Sequence, residues 1–362
     1  MPDPERAQSV RPQAPRPPRE SPLSSRVAAP LRLAAPRHPD VAVWRAATDA
    51  DIDGIWQLRQ DMGRVDHPNY LTARGAIAAD FGYSHFHAEH DSLIGIDGNG
   101  RVVAVAMVMF PPRQVTLVRS LPIGGVHPEL RGRGIGRQLL AWQLGRAKQQ
   151  LASSNKMLPG WILAYADERS PQNARLLRLG GMHLSRYFLS LERLLSEPIA
   201  AVEPAPGIRL APFTAQVSQA VHVARDDAFM DHWASQPMSD ENWNAFVTGR
   251  WFRPDLSFVA FGTDDAGVEQ VVGFVLSSAN EDVWRTQGFT GGYVDLVGVT
   301  SAWRGRHIAQ SLLAAHLSAG QALGYERSTL AVDSASPTGA LGLYEGMGYA
   351  PTHRKLAFTL QY

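Results

Sequence analysis

The chain of 362 residues is 44% hydrophobic, which at roughly 100–200 residues per domain suffices for two ordinary cores. Its 35 Lys and Arg balance 34 Asp and Glu, so the charge demands neither nucleic acid nor an anionic membrane as partner. Cysteine is absent, which excludes disulfides, thiolate metal sites and a cysteine nucleophile, and leaves a reducing cytoplasm as the default compartment.

The first 40 residues are rich in Pro, Arg and Ser, carry Asp3, Glu5 and Glu20, and lack the apolar stretch of a secretory signal. Residues 1–40 read as a disordered tail. Structure is expected to begin near Val41, with a strand over 41–44. Thr48 and Asp51 supply N-cap chemistry for a helix through Ile55 and Leu58. Apolar runs over 92–96 and 102–109 flank Asp97-Gly98-Asn99-Gly100, the turn chemistry of a hairpin. A strand before Val126, a helix over about 134–151, a buried strand over 161–166, a helix over 171–179 and β-structure over 182–191 complete a first unit. A Pro/Ala-rich linker spans 196–206. The same order then restarts at Gly207, with a strand over 207–210 and a helix capped by Thr214. A second hairpin joins 257–261 to 270–276, followed by a strand over 292–299 and a helix over 304–323. A strand over 328–332, a helix over 337–347 and a strand over 355–360 end the chain. No apolar run reaches the ~18 residues of a membrane span.

The repeat is visible residue by residue. Val126, Arg131-Gly132-Arg133, Ile135 and Leu139-Leu140 fall in register with Val299, Arg304-Gly305-Arg306, Ile308 and Leu312-Leu313. Ser170-Pro171 and Ala174 match Ser336-Pro337 and Ala340 at the same internal spacing. Two mixed α/β units with helical crossovers are the simplest explanation. In each, a strand runs through an Arg/Gly-rich turn into a helix. The first N–H groups of a helix have no internal acceptor, and the helix dipole favours an anion there. Glycines admit a phosphate close to the main chain and arginines add charge-assisted bonds, so a pyrophosphate is the natural ligand. The third glycine comes too early for the dinucleotide G-x-G-x-x-G, and no G-K-[ST] marks a nucleoside-triphosphate loop.

Arg131-x-x-Gly134-x-Gly136, preceded by Val126-x-Pro128, resembles the R/Q-x-x-G-x-G/A signature of the GNAT (N-acetyltransferase) family. Arg304-x-x-His307-x-Ala309 resembles it with one departure. The resemblance covers nearly everything from about residue 41 onward. It implies a mixed α/β fold class: two tandem GNAT folds over 41–195 and 207–362, each a mixed twisted sheet flanked by helices. It also implies acetyl-CoA as acyl donor. The pyrophosphate would be wrapped by Arg131, Gly132, Arg133, Gly134, Ile135 and Gly136 in the first copy. In the second copy Arg304, Gly305, Arg306, His307, Ile308 and Ala309 would do the same. Val126-His127 and Val299-Thr300 would run beside the pantetheine arm, and Ser336 stands where many relatives carry an asparagine that touches the donor. An early helical residue is expected to have negative φ, so at His307 the departure reads as a matter of bulk. Its imidazole either crowds a phosphate or donates a hydrogen bond to it.

Acetyl transfer to an amine needs a proton acceptor for the incoming ammonium, a donor for the oxyanion and an acid for the departing thiolate. Ala340-x-x-Leu343-Tyr344-x-x-x-Gly348-Tyr349 resembles the family's A-x-x-L-Y-x-x-x-G-F/Y, which makes Tyr344 the acid. Asp295, four residues before Val299, is the candidate base, and Tyr293, six before, competes with it. A carboxylate in an apolar strand is costly unless used or paired. The first copy has Arg178 at the acid position and Pro122 and Ser120 at the base positions. The second copy is therefore expected to catalyse and the first to be weak or silent, a layout similar to mycothiol synthase-like two-domain members.

Asp226, Asp227 and Asp231 beside Phe229, His232 and Trp233 suit a cationic amine. The expected acceptor is a primary amine of a small molecule or peptide, and the expected state is monomer or homodimer. The alternatives are a non-catalytic acyl-CoA sensor, or acetylation of a protein N-terminus or lysine. His85, His87 and His90 share one His-rich loop, which by itself is not a site, and no metal is expected.

Overall fold

The apolar runs become strands of one mixed sheet. The computed structural model describes residues 20–67, 72–336 and 338–362. In chain order the strands are β1 (Val43–Arg45), β2 (Ser92–Ile96), β3 (Val102–Met109), β4 (Val118–Val126), β5 (Gly160–Asp167) and β6 (His183–Leu194). The second series is β7 (Ile208–Pro212), β8 (Phe258–Thr263), β9 (Glu269–Ser278), β10 (Gly291–Val299), β11 (Arg327–Asp333) and β12 (Ala350–Gln361). The helices of the first half are α1 (Leu23–Arg26), α2 (Ile52–Asp66), α3 (Arg74–Gly82), α4 (Ala88–Asp91), α5 (Ile135–Ala152) and α6 (Pro171–Leu179). Those of the second are α7 (Ser218–Ala228), α8 (Asp240–Val247), α9 (Trp284–Gln287), α10 (Ile308–Ala322) and α11 (Ala340–Gly346). Both expected hairpins form, for the same local reason. Asp97 accepts from the backbone N–H of Asn99 (3.0 Å) and Arg101 (2.9 Å), and Asp264 does so from Ala266 (3.0 Å) and Val268 (2.9 Å).

The sheet order is β1-β2-β3-β4-β5-β12-β6-β11-β10-β9-β8-β7. Each half contributes an antiparallel run ending in a parallel pair, β4–β5 across α5 and β10–β11 across α10. The centre departs from two separate units. The strand expected at 182–191 to close the first unit forms within β6, but it adds to β11 of the second, with Leu191 opposite Leu330. The last strand, β12, crosses the other way and pairs with β5, placing Phe358 opposite Ala164. β6 and β12 pair with each other between them. The cores follow this exchange. Leu356 and Phe358 pack with Leu140, Leu144 and Ile162 of the first copy, while Leu191 and Leu195 pack with Ile308, Leu312 and Leu330 of the second. Each such side chain contributes ~1.5–3 kcal/mol on burial, so the exchange holds the halves as one body.

Residues 20–40 correct the expectation of a disordered tail up to Val41. Leu23 is fully buried and joins the core of the first copy with Val27 and Leu151. Pro30 accepts a hydrogen bond from Gln149 of α5 at 2.8 Å, and Leu33 packs on Gly145 so closely that a Cβ there would come within 2.6 Å. Composition averages over a segment. It does not weigh the few apolar residues that fit one groove along α5. Among the described residues, no helix is long and apolar enough to cross a membrane.

Candidate functional site

The two phosphate-loop motifs follow one path. After β4 and β10, short turns at Pro128–Leu130 and Ser301–Trp303 lead into the arginine, and α5 and α10 begin at Ile135 and Ile308, both buried. The motif arginine closes the turn on its own strand. Arg131 Nε donates to the Val126 carbonyl at 3.1 Å, and Arg304 Nε to the Val299 carbonyl at 3.5 Å. Asp66 takes the rest of the Arg131 guanidinium in bidentate fashion (2.7 and 2.8 Å), whereas that of Arg304 is shared between Asp231 at 3.0 Å and the Ala228 carbonyl at 3.1 Å. These two arginines shape their loops. The outward cations are Arg133, paired with Asp40 at 2.9 Å, and Arg306, stacked 4.5 Å from the Trp303 ring.

Gly132 (φ +79°), Gly134 (+97°) and Gly305 (+78°) all lie in the left-handed region. A Cβ at any of them would meet no atom within 4 Å, so the main chain lies open to an approaching anion and the loops fit a pyrophosphate. His307 caps α10 at φ +56°, in the place Gly134 holds. This corrects the expected negative φ: the residue precedes the helix, and the departure is one of backbone strain before bulk. His127 is buried and used locally, its Nδ1 accepting from Glu129 N at 3.3 Å, while Thr300 N donates to the Val272 carbonyl at 3.0 Å.

Beyond these loops the parallel pairs part. Val118, Arg119 and Ser120 pair with Gly160, Trp161 and Ile162, and residues 291–294 pair with 327–330. Further along, the edges of β4 and β10 face a notch. Only the second notch carries a bulge: Val294 lies opposite Ser277 and Leu296 opposite Leu276, leaving Asp295 extra. β4 runs in unbroken register from Leu121 to Val126, with Pro122 in the corresponding place. Burial pushes the Asp295 carboxyl up to about 7, against hydrogen bonds with Ser278 and the backbone that pull it down. Its Oδ2 is enclosed without a hydrogen-bond partner. A carboxyl so placed exchanges a proton near neutral pH.

Tyr344 of α11 is buried with Val294, Ile308, Leu312 and Leu330, edge-on to Tyr349 at 6.0 Å. Val294, which shares the core cluster of Tyr344, directly precedes Asp295 in β10. Burial, with Tyr349 adding to it, holds the Tyr344 phenol above its ordinary value and thus protonated, as an acid must be. Tyr293 is more than a third exposed, and Ser336 Oγ pairs with Thr338 Oγ1 at 2.9 Å. Pro337 lies outside the described residues. Behind Tyr344 runs a polar chain that the motifs do not announce. Tyr349 and Ser328 share a hydrogen bond of 2.7 Å, Ser328 lies 2.9 Å from His316 Nε2, and His316 Nδ1 lies 3.0 Å from the Leu256 carbonyl. A carbonyl only accepts, so Nδ1 carries the hydrogen and Nε2 accepts from Ser328. Burial pushes His316 down to about 4. In the repeat alignment His316 stands at Gln143, a buried polar position in both copies, and that was the available clue.

The matching positions of the first copy serve packing. Arg178 lies over the Phe358 ring at 5.3 Å, Ser120 Oγ donates to Gln150 at 2.6 Å, and the buried Ser170 donates to Asp66 at 3.0 Å. In the acceptor segment the acids are engaged within the chain. Asp226 accepts from Arg225 at 2.8 Å, Asp227 from Ser301 N at 2.7 Å, and Asp231 holds Arg304. His85 stacks on Tyr83 at 5.1 Å and faces Glu241 at 3.7 Å. Among the described residues, no three His, Cys, Asp or Glu side chains are grouped to hold a metal ion.

The Acetyltransferase (GNAT) family matches residues 219–349. The mycothiol acetyltransferase of Thermobispora bispora is 31% identical over 225 residues, covering 62% of this chain and 70% of that protein. The mycothiol acetyltransferase of a Nocardioides species is 28% identical over 229 residues, covering 62% and 74%. Two solved structures share the fold. A GCN5-related N-acetyltransferase from Sphaerobacter thermophilus has a TM-score of 0.65 at 23% identity, covering 88% of this chain and 95% of its own. A tandem GNAT protein from the clavulanic acid biosynthesis pathway has a TM-score of 0.63 at 15% identity, covering 88% and 98%.

Proposed function

Because this chain belongs to the GNAT acetyltransferase family, and so transfers an acetyl group to an amine, we propose that its second copy does the chemistry, with acetyl-CoA as donor. The carrying observation is the bulge at Asp295, which sets a half-buried carboxyl beside the notch in one copy and not in the other. The loop from Arg304 to Ala309 holds the pyrophosphate, Val299 and Thr300 run beside the pantetheine, and Ser336 meets it from the far rim. The first-copy loop from Val126 to Gly136 is a second position for the same anion, without the chemistry. Asp295 takes a proton from the incoming ammonium. The freed amine attacks the thioester carbonyl, and backbone N–H groups on the parted edge of β10 face the oxyanion. The carbon–sulfur bond then breaks, Tyr344 gives its proton to the thiolate, the second proton on the attacking nitrogen leaves to solvent, and solvent reprotonates Tyr344.

The acceptor is a primary amine of a small molecule, and the relatives named mycothiol acetyltransferase make the free-amine form of mycothiol the first to assay. Acetylated product is read by mass spectrometry across that amine, glucosamine, a polyamine and a lysine peptide. Tyr344→Phe and Asp295→Asn should each lower kcat by about 10²–10⁴ while CoA affinity stays within about threefold. Full turnover in either variant would refute its assigned role.

A further inference from the structure

The segment from Asp227 to Trp233 is bonded to the β10 side of the second notch and linked to the end of β11 through Arg186 of β6. On the β10 side, Asp227 accepts from Ser301 N at 2.7 Å, Asp231 accepts from Arg304 at 3.0 Å, and Arg304 Nη2 donates to the Ala228 carbonyl at 3.1 Å. On the β11 side, the Trp233 ring lies 5.7 Å from the Arg186 guanidinium, which pairs with Asp333 at the end of β11 at 3.2 Å, both side chains nearly buried. His232, between them, feels the charges of both Arg304 and Asp333.

The rest of the same loop is bolted to the other copy. Arg119 Nη1 donates to the Ala234 carbonyl at 2.6 Å, and Thr116 Oγ1 to the Ser235 carbonyl at 3.2 Å. Arg113 Nη1 donates to the Met238 carbonyl at 2.6 Å. The buried Gln236 is the centre of the set. Its Oε1 accepts the backbone N–H of Val115 (2.6 Å) and Thr116 (3.1 Å), and its amide donates to Thr116 Oγ1. Ala234 turns at φ +57°, a strained conformation for a residue with a Cβ, which persists when its surroundings fix it.

We propose that the first copy is the clamp that fixes the acceptor wall of the second copy, with Gln236 as its positioning residue. This rests on the second copy being the catalytic one. The first copy then contributes to the reaction without carrying out any step of it. Removing Gln236 leaves two N–H groups of residues 115 and 116 without an acceptor, and the loop loosens where it crosses between copies.

Full-length protein carrying Gln236→Ala, Gln236→Glu or Thr116→Val tests this. Gln236→Ala should speed amide hydrogen exchange over residues 229–238 about tenfold, and Thr116→Val should do so more weakly. CoA affinity, titrated with CoA itself, should stay within about twofold. With acetyl-CoA as the only substrate, hydrolysis to water should rise about threefold or more as the wall admits solvent. KM for an accepted amine should rise about tenfold with kcat within about threefold. Gln236→Glu still accepts both N–H groups but loses the amide donor to Thr116, so its values should fall between those of the parent and of Gln236→Ala. Unchanged exchange in both Gln236→Ala and Thr116→Val, or faster exchange with thioester hydrolysis unchanged, would overturn the clamp. Lack of any accepted amine would count against the proposed acceptor class alone, since exchange and hydrolysis need none.

Discussion

His307 occupies φ +56° where the first copy places Gly134 at +97°. A histidine tolerates that region at a cost of ~1–2 kcal/mol, and a β-branched residue tolerates it far less. His307→Val should therefore destabilise the protein by about 1–3 kcal/mol in urea melts. His307→Gly should stay within about 1 kcal/mol, because relief of strain is offset by the freer unfolded chain. The glycine at the aligned position was the sequence clue to this backbone, and counting His307 as helical hid it. Asp295 was legible as a carboxylate out of place in an apolar strand. The bulge that places it was not, because alternation marks faces and does not count residues against a partner. Its carboxyl titrates at about 7, above the ordinary ~3.9. Activity should therefore rise with pH to a plateau, half-maximal near 7, and Asp295→Asn should lose that limb. The sign for stability is opposite. A raised folded value contributes stability below ~3.9 that is lost as pH rises through about 7. Asp295→Asn should therefore melt higher than the parent at pH 8, where the parent is most active.

At the level of elements, the hairpins at Asp97 and Asp264 and the helices after each Arg/Gly turn could be read from local chemistry. The partners of β6 and β12 could not. A strand's sequence says which face is apolar and nothing about whose edge it joins. Phe358 shows the consequence, since it lies near the end of the chain yet is fully buried beside Leu140 and Ile162. Phe358→Ala should cost about 3–5 kcal/mol, because it empties a fully buried place in the core of the first copy. A chain ending near residue 200 should fail to fold, because β5 and β6 would both lack β12. Circular dichroism and limited proteolysis would show this, and a stable folded fragment would contradict the exchanged topology.

Across the whole molecule, the exchange predicts one calorimetric transition rather than two, despite two recognisable copies. It also predicts that acid weakens both together. His316 is buried and neutral, titrating at about 4 against ~6.5 when unfolded. A depressed histidine contributes stability that is present above ~6.5 and lost as pH falls towards 4. Between pH 7 and 5 the melting temperature should drop, and His316→Gln should flatten that slope. Asp295 pulls the other way over part of this range, so the two variants separate the contributions.

The exchanged strand also sets the order of events at the ribosome. The first copy is synthesised early, but the edges of β5 and β6 that take β12 stay open until that strand emerges. At ~5–20 residues per second that delay is roughly 8–30 s. Nascent chains stalled before β12 should thus be protease-sensitive throughout the first copy, and release of the last strand should protect it and the second copy in the same moment.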